Sequence, residues 1–339
     1  DFSASINPLG PSPRARQAIR TAMTDVVHYP DPDCVELRES LASRLGVPPD
    51  LIAIGNGSSE LIHLLPAALS LRHAMILGPT FSDYARAVTL ARGRVTFLHA
   101  SRDSGYRPPV GETLARLRAP ASESDSVVLC HPNSPTGQVA TPEEMHDLIE
   151  TCQERGLWLI VDESFVDYCE DRSVLPAIAA HPRLVVLRSF TKFYALTGLR
   201  VGYLVVHPDV VAKVRQWQSS WSVNTLAQVG ACAALQDQSH ARRSLALIRK
   251  ERERLKDDLE CLPGLKVFPS VANFLLVELP VPILAGEVRA ALRGQGLLVR
   301  DCSAIPGLTP YTLRVAIRRS GHNNCLVRAL KQRLGCSRR

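Results

Sequence analysis

The amino-acid sequence predicts an α/β protein: a large domain with a mostly parallel central sheet plus a smaller α+β domain. Three observations carry that prediction. Short apolar, often β-branched runs alternate with longer helical patterns over most of the chain. From about Ser239 the pattern changes to one long charged helix followed by short strands. The 339 residues also exceed one core, because single cores stop growing at roughly 250–300 residues.

In chain order, the runs Leu51–Ile54, Ala74–Leu77, Val95–Leu98, Val127–Cys130, Leu157–Val161, Leu184–Leu187 and Tyr203–Val206 read as strands. Amphipathic helices fall between several of them, such as Pro142–Arg155. This is the order of βαβ units, whose ligands bind beyond the carboxyl ends of the strands. The long helix spans Ala241–Leu262, and its run Arg249-Lys250-Glu251-Arg252-Glu253-Arg254 sets opposite charges three or four apart, as on a solvated face. Strands are expected near Leu265–Phe268, Asn273–Glu278, Leu297–Arg300 and Thr312–Ala316. The larger domain is placed at 30–240, and the smaller one joins 1–29 to 241–339.

An apolar fraction of 45%, a charged fraction of 22% and no low-complexity tract describe an ordinary globular protein. Nine cysteines stand singly from Cys34 to Cys336, with no C-x-x-C pair and an odd total, which points away from a zinc site or disulfide framework. Reduced thiols, no stretch of roughly 20 apolar residues and no signal-like start predict a cytoplasmic protein. The net charge of +7 is scattered and forms no basic stripe interleaved with aromatics, so nucleic acid is not expected. The basic tail from Lys331 to Arg338 and Arg339 reads as a solvated helix end. Positive potential also suits small phosphorylated anions.

The chemistry gathers in a few segments. Gly55-Asn56-Gly57-Ser58-Ser59-Glu60 follows a strand and opens a helix at Ser59–Leu71, so free N–H groups would face an anion; the same residues would also serve simply to start a helix. Asp162 stands directly after Leu157–Val161, at the carboxyl edge of the sheet, where it either keeps a pyridine nitrogen protonated or caps the next segment. Thirty residues on, Leu184–Leu187 runs into Ser189-Phe190-Thr191-Lys192, with Arg200 eight residues after the lysine. A desolvated lysine near cationic charge is a nucleophile toward an aldehyde. Serine acyl-transfer enzymes also use S-x-x-K, but no Ser-Asp-Asn or Lys-Thr-Gly element accompanies it here. The turn His131-Pro132-Asn133-Ser134-Pro135-Thr136-Gly137 follows Val127–Cys130 and can reach a ring substituent. His63, His131, Cys130 and Trp217 read as packing or surface residues.

In this order, these segments resemble the fold-type I, aspartate-aminotransferase-like enzymes that use pyridoxal 5'-phosphate (PLP), and within them the branch of histidinol-phosphate aminotransferases and threonine-phosphate decarboxylases. The likeness covers almost the whole chain, including Asp1–Gly10 and Tyr29-Pro30-Asp31-Pro32. It implies that Lys192 holds PLP as a Schiff base and shuttles protons. It implies that Asp162 pairs with the pyridinium nitrogen, that Ser58, Ser59, Ser189 and Arg200 hold the cofactor phosphate, and that Tyr84 stacks on the ring. Asn133 or Ser134 would contact the ring oxygen. Tyr29 would reach the neighbouring subunit's site, which implies a homodimer. Arg314 resembles the substrate-carboxylate arginine and Arg300 the substrate-phosphate one, with Asn7 of the N-terminal arm also at the substrate.

Three segments look closer to the decarboxylases: Asp1–Gly10, Asp162-Glu163-Ser164-Phe165 and Ser189–Arg200. Aminotransferases of the branch usually carry tyrosine where Phe165 stands. The implied reaction is decarboxylation of L-threonine O-3-phosphate to an aminopropanol phosphate, a precursor of the cobalamin nucleotide loop. Transamination of histidinol phosphate is the alternative, and a non-catalytic PLP-fold regulator a further one. Two departures stand out. Ser134 occupies the position before Pro-Thr-Gly where Asn is usual, and the decarboxylases' His-Gly-Gly-Asn segment is absent ahead of Asp1, as in a truncated N-terminus.

Overall fold

A computed structural model describes residues 1–120 and 123–335; Cys336 and the tail residues Arg338 and Arg339 lie outside the described residues. The strands are β1 (Ile52–Gly55), β2 (His73–Gly78), β3 (Arg94–His99), β4 (Ser126–Cys130), β5 (Trp158–Asp162), β6 (Leu184–Ser189) and β7 (Gly202–Val205), followed by β8 (Lys266–Val267), β9 (Phe274–Glu278), β10 (Arg300–Asp301) and β11 (Thr312–Ala316). The first seven form one sheet in the order β1-β7-β6-β5-β4-β2-β3. Pairing from β3 across to β6 is parallel, and β7 runs antiparallel to both of its neighbours.

The helices are α1 (Pro13–Thr21), α2 (Val35–Leu45), α3 (Gly57–Ala68), α4 (Asp83–Leu90), α5 (Val110–Arg118), α6 (Pro142–Glu154), α7 (Pro208–Trp217), α8 (Thr225–Gln236), α9 (Gln238–Glu260), α10 (Ala285–Gly294) and α11 (Ser320–Gly335). α6 starts at the expected Pro142, and a capping box closes its first turn. Thr141 Oγ accepts from the Glu144 N–H, and the Glu144 carboxylate accepts from the Thr141 N–H.

Both faces of the sheet's central strands are covered, which explains why they read as near-continuous apolar runs, while the edge strand β3 is more exposed. Leu184 and Val186 enter one core cluster with Leu148 and Val161, while Val185 and Leu187 enter the other with Leu61 and Ile76. The second sheet, β10-β11-β9-β8, is antiparallel throughout and packs on α9, α10 and α11 through Leu255, Val288 and Leu330. Phe2 is buried in this smaller core, its N–H donating to Leu298 O (2.6 Å) and its carbonyl accepting from the Ala316 N–H (2.9 Å).

The expected 297–300 strand is reduced to Arg300–Asp301. The Leu297 N–H is spent on Leu292 O at the end of α10, so ladder pairing starts only at Arg300. On packing grounds we propose that the larger unit begins near Pro13 and not at residue 30, because Ala15 and Ile19 of α1 sit in the large sheet's core.

Candidate active site

At the carboxyl ends of β4, β5 and β6, between the two sheets, lies a cavity of about 660 Å³ lined by Lys192, Asp162, Tyr84, Ser58, Ser59 and Arg200. Residues from both units complete it: Ser3 and Ser5 of the N-terminal arm, and Arg300, Cys302 and Arg314 of the smaller sheet. The topology explains the convergence, since parallel strands deliver their C-terminal residues to one edge.

The floor is held rigidly. Asp162 ends β5, where its Oδ1 accepts from the Ser164 N–H (2.8 Å) and its Oδ2 from the Tyr84 hydroxyl (2.6 Å). Directly behind it, buried Glu163 accepts from the Val174 N–H (2.7 Å), Ser173 Oγ (2.8 Å) and Arg188 Nε (2.9 Å), while Arg188 also reaches Glu170 (2.8 Å). A buried ion pair in which each of the three Arg188 nitrogens is hydrogen-bonded holds the ends of β5 and β6 together, so Asp162 and Ser189 are presented at fixed heights.

One end of the cavity is an anion cradle. The N-cap of α3, Asn56, makes no side-chain capping bond, which leaves first-turn N–H groups of a twelve-residue helix pointing outward. Gly57 has φ +76°, and a Cβ there would collide with the Arg200 guanidinium; a Cβ at Gly202 would strike the Ser58 nitrogen. Both glycines therefore keep open the space that Arg200, Ser58 and Ser59 surround. Arg200 itself takes a left-handed backbone (φ 58°), a conformation tolerated at sites where surrounding structure enforces it.

Lys192 faces the cavity with no hydrogen bond or ion pair for its amine among the described residues. Its Nζ lies 5.9 Å from the Phe165 ring centre. Burial, then the positive charges of Arg314 and Arg200, pull its pKa below the ordinary lysine value, with Asp162 acting in the opposite sense. That raises the fraction of free amine, the nucleophilic form. Burial, and then Asp162, push the Tyr84 phenol well above its usual range, so it stays a neutral donor.

At the mouth, Arg300 and Arg314 are direct cross-strand partners of β10 and β11. Arg314 donates to Ser134 Oγ (2.9 Å) and Ser3 O (2.9 Å) and lies over the Phe274 ring, while its Nε is buried without a partner among the described residues. Burial lowers its pKa, and Arg300 adds to that effect. Ser5, 2% exposed, also turns an unpartnered hydroxyl to this cavity.

Several expected contacts fall elsewhere. Asn7 does not line the cavity: its amide donates to Phe193 O (2.8 Å) and Ser244 Oγ (2.8 Å), its side-chain oxygen accepts from the Leu9 N–H, and its own N–H donates to Lys192 O. It fastens the arm to the lysine's loop, and Ser3 and Ser5 take the place at the cavity. Asn133 is spent on Thr80, Pro79 O and Thr136, whereas Ser134 lines the cavity. Ser189 is bonded to Thr191 Oγ1 (2.8 Å) one layer behind, and Thr191 reaches the lining. Tyr29, expected at the neighbouring subunit's site and not at this one, is 79% exposed and stacks on Trp221. Thr191, Ser3 and Ser5 were missed by sequence reasoning; of the three, only Thr191, next to the lysine, carried any signal.

A free buried amine, a fixed carboxylate and an uncapped helix end beside an arginine make up the donor set that an aldehyde-bearing pyridine phosphate requires. The residues present fit PLP, and the site is that of a PLP-dependent enzyme. The model of class I and II aminotransferases matches residues 1–334, and the chain belongs to that family. It is similar to the threonine-phosphate decarboxylase of Salmonella typhimurium, 35% identical over 333 residues, which are 98% of this chain and 90% of that one. It is also similar to the histidinol-phosphate aminotransferase of Symbiobacterium thermophilum, 36% identical over 97% of this chain and 89% of that one. Among solved structures, the histidinol-phosphate aminotransferase from Clostridium acetobutylicum superposes with a TM-score of 0.92 at 27% identity, covering 99% of each chain. No helix among the described residues is long and apolar enough to cross a membrane, and no group of three or more His, Cys, Asp or Glu side chains among them could hold a metal ion.

Proposed function

We propose that this protein decarboxylates L-threonine O-3-phosphate, releasing carbon dioxide and an aminopropanol phosphate for cobalamin biosynthesis. The observation that carries the reading is the pair Arg300 and Arg314, directly opposite each other at the mouth of the cavity whose floor holds Lys192. Like charges placed so are unfavourable until an anion joins them. Threonine phosphate carries a carboxylate and a phosphate on one small molecule and meets both arginines together, whereas histidinol phosphate has only the phosphate, and the competing reaction presents two anionic groups at once only through its second substrate, 2-oxoglutarate. Phe165 supports the same reading: it packs edge-on against Phe274 (5.1 Å) and offers no hydroxyl where the related aminotransferases usually have one.

When bound, PLP supplies an electron sink for negative charge at the substrate Cα. Asp162 would face its ring nitrogen, and Ser58, Ser59, Thr191 and Arg200 its phosphate, with Ser189 acting through Thr191. Arg314 would orient the substrate carboxylate and Arg300 the substrate phosphate. As the bond between Cα and the carboxylate breaks, the electron pair stays with the substrate and carbon dioxide departs. Lys192, in its ammonium form, would then deliver a proton to Cα and return to the free amine.

The reading includes a homodimer. Met23, Val26, Val27 and Trp221 are exposed around Tyr29, and a second copy covering them would carry Tyr29 toward the neighbouring site. Sedimentation at a single mass of one chain would contradict the dimer.

Transamination of histidinol phosphate uses the same floor and is the competing activity. Loaded protein incubated with threonine phosphate alone should release carbon dioxide and an amino-alcohol phosphate. Turnover only when 2-oxoglutarate is added would overturn decarboxylation.

A further inference from the structure

We propose that Tyr84 is a positioning residue whose hydroxyl, donated to the Asp162 carboxylate, helps keep the cofactor's ring nitrogen protonated. This rests on the reading that Asp162 faces that nitrogen, and it adds to the stacking role that resemblance implies. The two residues are 78 positions apart, one in the first turn of α4 and the other at the end of β5, yet their oxygens lie 2.6 Å apart. Tyr84 is 3% exposed, and Asp162 is its hydrogen-bond partner. On the carboxylate, Oδ1 is held by a backbone N–H, so Tyr84 is the side chain that donates to Asp162 among the described residues. Cys130, the register neighbour of Asp162, donates its thiol to Pro132 O (3.2 Å) and also touches the Tyr84 hydroxyl, but makes no hydrogen bond to the carboxylate.

A phenylalanine would supply the same ring face and the same edge-on contact with Phe81, so stacking alone does not call for the hydroxyl. In a buried site, the proton between a carboxylate and a pyridine nitrogen can sit on nitrogen, giving an ion pair, or on oxygen, giving a neutral pair. An O–H donated to the carboxylate stabilises its charged form and so favours the ion pair. Only the protonated ring withdraws electrons strongly. The phenol remains protonated throughout, because burial and the adjacent carboxylate oppose its ionisation.

The test loads the full-length protein with PLP labelled with ¹⁵N at the ring nitrogen and records its ¹⁵N shift in wild type, Tyr84→Phe, Asp162→Asn and the double variant. Wild type should show a protonated nitrogen, and Tyr84→Phe should lower the ratio of protonated to unprotonated nitrogen about tenfold or more. In the Asp162→Asn background, Tyr84→Phe should produce no further change. Replacing Tyr84 with 3-fluorotyrosine, a more acidic phenol of similar size, should move the signal toward the protonated side. An unchanged shift in Tyr84→Phe, or an equal displacement with and without Asp162, overturns the proposal. An unchanged shift in Asp162→Asn alone instead removes the assignment of Asp162, and the proposal with it.

Discussion

The floor of the cavity and its mouth treat charged side chains differently. At the floor, Glu163 and Arg188 are buried with their donors and acceptors matched, and both oxygens of Asp162 are already bonded. At the mouth, Arg300 and Arg314 face each other, and Arg314 Nε and Ser5 Oγ are buried without partners among the described residues. An unmet buried polar group costs about 1–3 kcal/mol, which a ligand supplying the partner recovers. Folding satisfies the floor's carboxylates and leaves the Lys192 amine to the cofactor, and substrate completes the mouth. Substitutions at the floor should therefore move stability or cofactor chemistry, and those at the mouth should move substrate recognition.

The largest effect expected is at Lys192. Lys192→Ala should remove the visible absorption of the loaded protein and lower turnover by about 10³-fold or more, read from the spectrum and steady-state rates. Next, Arg188→Ala leaves Glu163 buried and unpaired, so denaturant unfolding should show a loss of about 3–5 kcal/mol. An unaltered midpoint would mean that the floor is not completed by folding.

A pH effect of similar size is expected beside the floor. Burial lowers the pKa of His131 from 6.5 to about 4, against a hydrogen bond to Arg172 O. Between those values the unfolded chain binds the proton that the folded chain refuses. Stability should thus fall by about 3 kcal/mol as pH drops from 6.5 to 4, and His131→Gln should flatten that slope in unfolding titrations.

The mouth comes after these. Arg314→Ala should lower kcat/KM by roughly 30–100-fold and the exposed Arg300→Ala by about tenfold, with the cofactor spectrum retained in both. Equal handling of threonine and threonine phosphate by wild type would contradict the role of Arg300. Smallest is Ser5→Ala. It removes an unpaired hydroxyl, so stability should stay level or rise by up to about 1 kcal/mol while KM rises a few-fold.

The same contrast decides what could be read from the sequence. All seven strands of the large sheet were expected within about two residues, because burial on both faces writes all but the edge strand β3 as near-continuous apolar runs; Asp162 and Lys192 were legible as residues that follow such runs, and Arg200 by its spacing from the lysine. The mouth was less so. The short strand Arg300–Asp301 leaves too few residues for a period, and α10 takes the backbone before it. Asn7 looked like a substrate residue because nothing local reveals that its amide is spent on Phe193 O and Ser244. The bond from Tyr84 to Asp162 joins residues from two separate βα units, and only the fold brings them together.

The central claim, that the floor presents Lys192 as the one amine carrying PLP, is tested most directly by reducing the loaded protein with borohydride and mapping its peptides by mass. The cofactor's mass should appear on the peptide holding Ser189-Phe190-Thr191-Lys192, at about one per chain, and be absent there in Lys192→Ala. Stoichiometric label on another lysine, or none on any, would contradict it.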